Sequence, residues 1–378
     1  MLLELTSDQE FLRDTTAKFL ASLAPADILR SLRNDPDGFD REYWRRGADL
    51  GWISLLVGDE HGGGSVSGRG LIDLTLIAHE FGRRAAPGPL LPCNIVAAAL
   101  SASSTHREVL ESLLTGASVA AWCTEEALPH GVYDPIGLEI RTDGNGLVLN
   151  GVKRPIEAAA QADHLLVAGR TGGGLTQVLV PAGTAGMTIT PMRGVDLTRR
   201  FARVSFEDVR VPSDMAVGEI GAAAKAIELQ LHQALVIQNG ETVGAMAAAF
   251  DMTVEWAFDR YSFGRPLASY QELKHRFADM KSWLEAAHAI ADAAAEAVAD
   301  QSEEAGELVS VAKAFIGQYG LELIQDCVQI HGGIGVTFEH DLHLFLRRAT
   351  ANRVLLGTPA DHRQQVAVYA MEEERAGE

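Results

Sequence analysis

The chain has 378 residues, of which 47% are hydrophobic and 22% charged, an ordinary globular balance rather than a disordered one. Its formal net charge of −19 disfavours nucleic acids and anionic membranes as partners, because the long-range field repels polyanions. The same charge does not exclude an anionic cofactor, which needs only a local cluster of arginines and backbone N–H groups. This length allows two or three domains around sizeable cores.

The sequence contains few features typical of membrane insertion, secretion or disulfide formation. No apolar run approaches the roughly 18–20 residues of a membrane-spanning helix. The first residues read as an amphipathic helix that contains acids, without the basic start and apolar core of a signal peptide, so we expect a cytoplasmic protein. Cys93, Cys123 and Cys327 have no paired spacing, which argues against a disulfide framework and against a metal site.

Residues 1–117 carry helical periodicity. The pattern is interrupted at Gly51-Trp52, at the turn-rich stretch 58–64 and at Pro87-Gly88-Pro89. Between and after these breaks it predicts helices over Leu71 to Gly82 and over Ile95 to Leu114.

From residue 118 to 219 the hydrophobic period changes towards two. Turn signals such as Asp143-Gly144-Asn145-Gly146 separate seven short β-rich runs. The predicted strands are Val119–Cys123, Leu138–Arg141, Leu147–Val152, His164–Ala168, Gln177–Val180, Met187–Ile189 and Ala202–Phe206. Seven strands without intervening helices favour a small antiparallel barrel or sandwich.

The remainder, from residue 220, returns to long helical patterns. They predict helices over Ala222–Tyr261, Ser269–Ala299 and Glu303–His331, each long enough for a helical bundle.

A first motif follows the predicted helix that ends near Tyr261. It reads Arg260-Tyr261-Ser262-Phe263-Gly264-Arg265-Pro266-Leu267, with Gln271 and Lys274-His275-Arg276 shortly after it. Arg260 can give bidentate charged hydrogen bonds to a pyrophosphate, a geometry that lysine does not match. Alone, an arginine here is equally typical of a solvated helix end.

A second motif lies at the end of the last long helix. It reads Gln329-Ile330-His331-Gly332-Gly333-Ile334-Gly335 and is followed by Glu339-His340 and Arg347-Arg348. The glycines allow close backbone approach and unusual dihedral angles beside a nucleotide. Alone, they are also typical of a helix C-cap and turn. The two motifs together, each in a helical setting, favour a nucleotide site.

These motifs resemble the Arg-x-x-Phe-Gly-Arg-Pro turn and the Gln-x-x-Gly-Gly-x-Gly segment of the acyl-CoA dehydrogenase family. The resemblance covers nearly the whole chain, including Leu50-Gly51-Trp52 and the stretch from Phe206 to Pro212. It implies an N-terminal all-α domain at 1–117, a middle antiparallel β-barrel domain at 118–219 and a C-terminal four-helix bundle at 220–378. It also implies FAD as cofactor and an acyl-CoA thioester as substrate. The cofactor-binding residues carried over from the motifs are Arg260, Phe263, Gln271, Gln329, Gly332 and Gly333.

The general base of the family is missing from its usual positions. The family reaction removes a proton from the carbon α to the thioester carbonyl, which requires a positioned carboxylate. One branch places its glutamate before a Gly-Thr pair, where this chain has Leu356; another places it where this chain has Ala234. No catalytic residue is therefore assigned. Glu241, roughly 10 Å beyond Ala234 along a helix, is a candidate only for a displaced substrate, and otherwise a helix-surface or interface carboxylate.

The residues expected beside the flavin ring also differ from the family pattern. A Thr-Glu-Pro segment with a following Ser-Asp stretch is replaced by Thr124-Glu125-Glu126-Ala127-Leu128-Pro129-His130. The family's Trp-x-Thr segment is replaced by Pro155-Ile156-Glu157, so that Glu157 puts a carboxylate where a hydroxyl donor is expected.

These departures fall on one side of the family's FAD site. In family dimers one chain's β domain holds the flavin ring and the substrate, and its neighbour's C-terminal bundle holds the ADP end. The chain therefore resembles the base-lacking subunit of the actinobacterial heterotetrameric acyl-CoA dehydrogenases, several of which act on steroid side chains. This resemblance implies an α2β2 assembly in which a second acyl-CoA dehydrogenase-like chain completes the site.

Three other hypotheses remain open from the sequence. The chain is a self-sufficient homo-oligomeric dehydrogenase that uses Glu241, or a flavin oxidase or monooxygenase on the same fold, or a flavin-free structural or regulatory partner. Retention of Arg260, Gln271 and Gln329 disfavours the last of these.

Overall fold

The computed structural model describes residues 4–126 and 136–377. Helices form the first and last parts of the chain and a β-sheet forms the middle, which is the order predicted from the sequence. The N-terminal helices are α1 (Ser7–Leu23), α2 (Ala26–Ser31), α3 (Arg41–Asp49), α4 (Gly70–Arg84), α5 (Leu90–Ser103) and α6 (Arg107–Leu114).

The prediction of a helix over Leu71 to Gly82 is confirmed by α4, but the prediction of one helix over Ile95 to Leu114 is wrong. Ser104 and His106 adopt left-handed backbone angles, with φ of 51° and 53°, and separate α5 from α6. Ser103 and Thr105 share a 2.7 Å hydroxyl hydrogen bond at this break. Short hydroxyl side chains favour such local bonds over helix continuation.

In the middle of the chain, the described residues form a single sheet of eight strands. They are β1 (Ala120–Cys123), β2 (Glu139–Asp143), β3 (Gly146–Glu157), β4 (His164–Thr171), β5 (Gly174–Pro181), β6 (Met187–Met192), β7 (Phe201–Pro212) and β8 (Ala216–Val217). All seven predicted strands are confirmed, and the two-residue β8 was not predicted.

The barrel expected for this domain is not closed. The strand order is β6-β7-β3-β2-β4-β5-β8, and within the described residues the two outer strands do not pair with each other. Most pairs are antiparallel, but β1 runs parallel to β4, and β2 meets β4 at the single pair Glu139 and Arg170. The two outer strands are poorly suited to pair with each other. Strand β6 is largely exposed, and β8 has only two residues with which to form hydrogen bonds.

The C-terminal part consists of five helices. They are α7 (Ala224–Asp259), α8 (Gln271–Ala299), α9 (Ala305–His331), α10 (Leu342–Val354) and α11 (Pro359–Gly377). The three long helices were predicted with ends correct to within a turn. They pack against one another, and α10 and α11 both pack against α9, so two shorter helices complete the predicted bundle. A two-stranded hairpin, β9 (Tyr261–Ser262) and β10 (Arg265–Pro266), links α7 to α8.

Helices α4 and α7 lie in backbone contact. A β-carbon on Gly82 would overlap the carbonyl oxygen of Glu241, and one on Gly244 would overlap the carbonyl oxygen of His79. Each helix therefore presents a glycine where the other presents main chain. This contact fixes the N-terminal helices against α7, the helix from which the candidate site is built.

The described residues contain no helix long and apolar enough to cross a membrane. All three cysteines are buried, and none of them forms a disulfide. Burial raises the pKa of each thiol to about 12, so they remain protonated and unreactive.

We expect Gly244→Ala to lower the free energy of unfolding by about 1–3 kcal/mol, because the added methyl group forces two helix backbones apart. Denaturant unfolding measures the change. Gly172→Ala is the matched control, since nothing lies within 4 Å of the position that its β-carbon would take. Equal stability of the two variants would contradict a tight contact between α4 and α7.

Candidate functional site

The hairpin after α7 presents the first motif to solvent. Arg260 leaves the helix in an extended conformation, and its N–H group caps the helix by donating to the carbonyl of Trp256. Phe263 and Gly264 occupy the two turn positions with φ of 49° and 79°. A hairpin turn with two positive φ angles normally takes Asn-Gly or Gly-Gly, so a phenylalanine here is strained. Phe263 is 97% exposed, so its ring is accessible for a contact with another molecule.

The second motif ends α9 beside that hairpin. Gly332 has a φ of 65°, and no atom lies within 4 Å of the β-carbon positions of Gly332 or Gly333. The His331 ring stacks on Trp256 at 5.1 Å, and the Arg260 guanidinium lies 5.9 Å from the centre of the Trp256 ring. The two motifs are therefore brought together on one exposed surface.

We call this surface the nucleotide cradle; it comprises Arg260, Phe263, Gly332 and Gly333. Gln271 and Gln329 are also exposed, at the first turn of α8 and the last turn of α9. The Gln271 amide lies 3.0 Å from the ring of His275. Within residues 4–126 and 136–377, no carboxylate forms an ion pair with Arg260, so its guanidinium is available to an anionic ligand.

A second candidate region lies between the sheet and the bundle. We call it the ring-side cleft; its walls are Leu91, Pro92, Trp122, Glu125, Pro155, Glu157, Arg199, Phe201, Gln238, Leu355 and Leu356. Its volume is about 40 Å³, enough for a few water molecules and too small for three fused rings.

An ion pair lines this cleft. The Arg199 guanidinium gives two hydrogen bonds to the Glu157 carboxylate, one of them 2.8 Å long from Nε. A further bond of 2.6 Å reaches the side-chain oxygen of Asn352, and Phe201 lies under the guanidinium plane at 5.3 Å. Arg199 is buried and held on several sides. Glu157 is thus committed to an arginine and is not free to contact a flavin.

Glu241 belongs to the same network. Arg348, which is fully buried, donates to one Glu241 oxygen at 2.5 Å and to Asp196 at 2.5 Å. The other Glu241 oxygen accepts from Asn352 at 2.9 Å and from Arg199 at 3.4 Å. Both oxygens face cations or an amide, so Glu241 is neither a surface carboxylate nor a base with a free lone pair directed at a substrate.

The two family positions for a base are buried apolar residues. Ala234 lies inside α7, and Leu356, with a φ of 58°, lies on the loop before α11. Lys313 donates to the carbonyl of Leu355 at 2.8 Å, and burial lowers the pKa of Lys313 to about 7. His362 lies 2.8 Å from the carbonyl of Leu356. This loop is therefore held from two sides.

Two threonines that the family would place near the flavin have other surroundings here. The Thr358 hydroxyl donates to the Asp361 carboxylate at 2.7 Å and accepts from the Asp361 backbone N–H at 3.3 Å, and the second bond caps α11. The hydroxyl of Thr124 is buried without a partner among the residues that the structure describes. Positions 127–130 of the altered Thr-Glu-Pro segment lie outside the described residues.

Glu125 was not predicted as a site residue from the sequence. Its Oε2 atom is buried and has no hydrogen-bond partner in the described part of the chain, and its side chain lines the ring-side cleft. Burial raises its pKa to about 7, against the lowering effect of Lys153 and Lys313. The run Thr124-Glu125-Glu126 carries no signal that the first glutamate is buried and the second is not. The described residues also contain no cluster of three or more metal-ligating side chains.

Comparison with known proteins decides the family. The model of the acyl-CoA dehydrogenase N-terminal domain matches residues 6–116, and that of the C-terminal domain matches residues 216–370. This chain belongs to the acyl-CoA dehydrogenase family. Its members are FAD-dependent oxidoreductases that dehydrogenate acyl-CoA thioesters.

Relatives align along nearly the whole chain. The acyl-CoA dehydrogenase IpdE2 of Mycobacterium tuberculosis is 28% identical over 362 residues, which are 94% of each chain. The structure of butyryl-CoA dehydrogenase from Megasphaera elsdenii superposes with a TM-score of 0.86 at 23% identity, covering 98% of this chain and 100% of that one. A chain of the ChsE4-ChsE5 complex from Mycobacterium tuberculosis gives 0.87 at 22% identity, covering 98% and 99%.

FAD fits this acyl-CoA dehydrogenase chain at one end only. The nucleotide cradle has an unpaired arginine and two glycines with open space above them, which suit a pyrophosphate and an adenosine. The ring-side cleft does not fit the flavin ring, because the Arg199–Glu157 ion pair lines its small volume and, in the described part of the chain, Glu157 stands at the position of the expected hydroxyl donor.

We expect Glu125→Gln to stabilise the protein relative to the wild type as pH rises. The unfolded chain loses the Glu125 proton near pH 4.5, whereas the folded chain keeps it to about pH 7. Wild-type stability therefore falls between these pH values, and the variant should gain up to roughly 2–3 kcal/mol relative to it by pH 7. Chemical denaturation at a series of pH values measures this difference.

Glu126→Gln is the neighbouring control and should behave oppositely. Burial tends to raise the pKa of Glu126, but its ion pair with Lys153 and bonds from two backbone N–H groups lower it overall. The Glu126 variant should lose stability relative to wild type above pH 4.5. A pH-independent effect of Glu125→Gln would refute the buried, protonated assignment.

Proposed function

We propose that the chain is a subunit of an FAD-dependent acyl-CoA dehydrogenase and supplies the ADP half of a flavin site shared with an unlike chain. The partner is a second acyl-CoA dehydrogenase-like chain in an α2β2 assembly. The reaction is the α,β-dehydrogenation of an acyl-CoA thioester. The observation that carries this proposal is the contrast between an open nucleotide cradle and a ring-side cleft closed by Arg199 and Glu157.

The nucleotide cradle supports the first half of the proposal. Its arginine, exposed phenylalanine and glycine turn all point away from this chain's own core, so a ligand bound there must extend beyond the chain. Phe263 retains a strained φ of 49° although nothing in the described chain packs on it. Strain of this kind, of order 1–3 kcal/mol, persists where a function requires the geometry.

The ring-side cleft supports the second half. Bound to a complete site, FAD supplies the acceptor for the hydride that leaves the β carbon of the acyl group. A chain that serves this chemistry alone needs a base beside the α carbon, and Leu356, Ala234 and the ion-paired Glu241 offer none. The partner would supply the base, the ring contacts and the substrate pocket. This chain would orient the cofactor through its diphosphate.

In this division of labour Arg260 neutralises the pyrophosphate, and the glycine turn allows the main chain to approach it closely. Phe263 covers the bound nucleotide and keeps water from it. The complex of ChsE4 with ChsE5 is a solved assembly of two differently named chains to which this fold is similar, which is in keeping with an unlike partner.

We expect Arg260→Ala to weaken FAD retention by roughly tenfold or more, because a charge-assisted bond to phosphate contributes about 1.5–3 kcal/mol. The measurement is the FAD dissociation constant of the assembled complex, isolated through a tag on this chain. Arg210→Ala is a matched control, since Arg210 is exposed on β7 and paired with Asp143. Unchanged FAD affinity in Arg260→Ala would sink the assignment of the cradle.

We expect an α2β2 complex to hold two FAD molecules rather than four, and the purified chain alone to show little dehydrogenase activity. Loss of a positioned base typically forfeits about 10²–10⁴-fold in rate. Flavin absorbance per chain and turnover of a standard acyl-CoA measure both. One FAD per copy in an active homo-oligomer would overturn the heteromer proposal, and loss of that activity in a Glu241→Gln variant that keeps wild-type unfolding behaviour would identify Glu241 as the base.

A further inference from the structure

Trp256 connects the two halves of the nucleotide cradle, although it belongs to neither motif. Its ring lies one helical turn before Arg260 and stands under the guanidinium at 5.9 Å. The Trp256 ring also stacks on the His331 ring, with ring centres 5.1 Å apart and an interplanar angle of 16°. The order in space is therefore Arg260, Trp256, His331 and then the glycine turn.

The far side of this stack is fixed to the bundle. The His331 ring lies 2.8 Å from the carbonyl of Cys327, and the His340 ring meets it edge-on at 4.6 Å. Burial lowers the pKa of His331, so the ring is neutral and does not repel Arg260 at neutral pH. The indole N–H of Trp256 has no acceptor among the residues that the structure describes, which leaves ring contacts to hold this side chain.

Arg260 has few other restraints. It is exposed, and in the described chain it lacks an ion-pair partner. A free arginine side chain loses rotamer entropy when a ligand immobilises it. A cation–π contact that holds the guanidinium beforehand reduces that loss.

We infer that Trp256 is a positioning residue for diphosphate binding, which sets the distance between the Arg260 guanidinium and the Gly332-Gly333 turn. The inference rests on the proposed function, since it assumes that the cradle takes the ADP end of a nucleotide. Trp256 acts through Arg260 rather than by touching the phosphates. The ligand class is a nucleoside diphosphate, with ADP as the simplest probe.

The test is a double-mutant cycle on the purified full-length chain, with ADP binding followed by titration calorimetry. Trp256→Leu removes the aromatic face and should weaken ADP binding about three- to fivefold. Trp256→Phe keeps a face for both neighbours and should retain most of the affinity. In an Arg260→Ala background, Trp256→Leu should have no further effect, because its action requires the arginine. A merely structural role would lower affinity in both backgrounds.

Trp283→Leu is the matched control. Trp283 lies in the same bundle and also faces an arginine, Arg276, at 5.0 Å, but Arg276 is engaged by Asp326 and neither contacts Arg260. This variant should bind ADP like the wild type. Circular dichroism of each variant identifies any that fail to fold, and Trp256→Phe then carries the comparison.

The outcomes separate the inference from the proposed function. Weaker binding in Arg260→Ala with wild-type binding in Trp256→Leu would overturn the inference alone. Equal effects of Trp256→Leu with and without Arg260 would do the same. Wild-type ADP affinity in Arg260→Ala, or no ADP binding by the unmodified chain, would count against the proposed function and the inference together.

Discussion

Arg348 extends from α10 into the junction between the three parts of the chain, and the remaining architecture of the site depends on it. Its guanidinium meets Asp196 from the loop before β7, Glu241 from α7 and the carbonyl of Ala86 from the segment after α4. A fully buried cation is expensive unless its hydrogen bonds are satisfied, and here acceptors surround it. The sheet, the bundle and the N-terminal helices therefore have one mutual orientation in which this charge is compensated.

The same network explains why the ring-side cleft has its present shape. Glu241 and Asn352 each bond to more than one partner and connect Arg348 to Arg199, which in turn binds Glu157. Removing one member leaves a buried charge unpaired, at a cost of about 3–5 kcal/mol. The charges that line the ring-side cleft are thus part of the buried ion network, so the narrow shape of the cleft is coupled to the packing of the sheet against the bundle.

Local patterns predicted the elements well, and the reason is physical. The long proline-free stretches of α7, α8 and α9 and the burial alternation in β7 are properties of consecutive residues along the chain. The two motifs that meet at the nucleotide cradle were recognisable for a similar reason, since each motif is contiguous and lies at the end of a helix. The break between α5 and α6 was missed because Ser103 and Thr105 act through a local hydroxyl bond that periodicity does not contain.

The ion network could not be predicted in the same way. Asp196, Arg199, Glu241 and Arg348 are distant in sequence, and each alone reads as a solvated charge. Burial of Glu125 beside an exposed-looking glutamate, and the open edges of the sheet, also depend on tertiary packing. What the sequence did indicate was the absence of a base at Leu356 and Ala234, because that conclusion needs only residue identity.

The loop at Leu356, which Lys313 and His362 hold in place, determines what a carboxylate at this position could do. A single change of Leu356 to glutamate would put a carboxylate on the wall that Arg199 shares, on a backbone that Lys313 and His362 already hold. The new acid would pair with that guanidinium and would be lost as a proton acceptor. Installing a working base at this position would require emptying the cleft and adding the acid together, with each step disadvantageous alone. A carboxylate placed here would be neutralised for as long as the buried ion network keeps its present form.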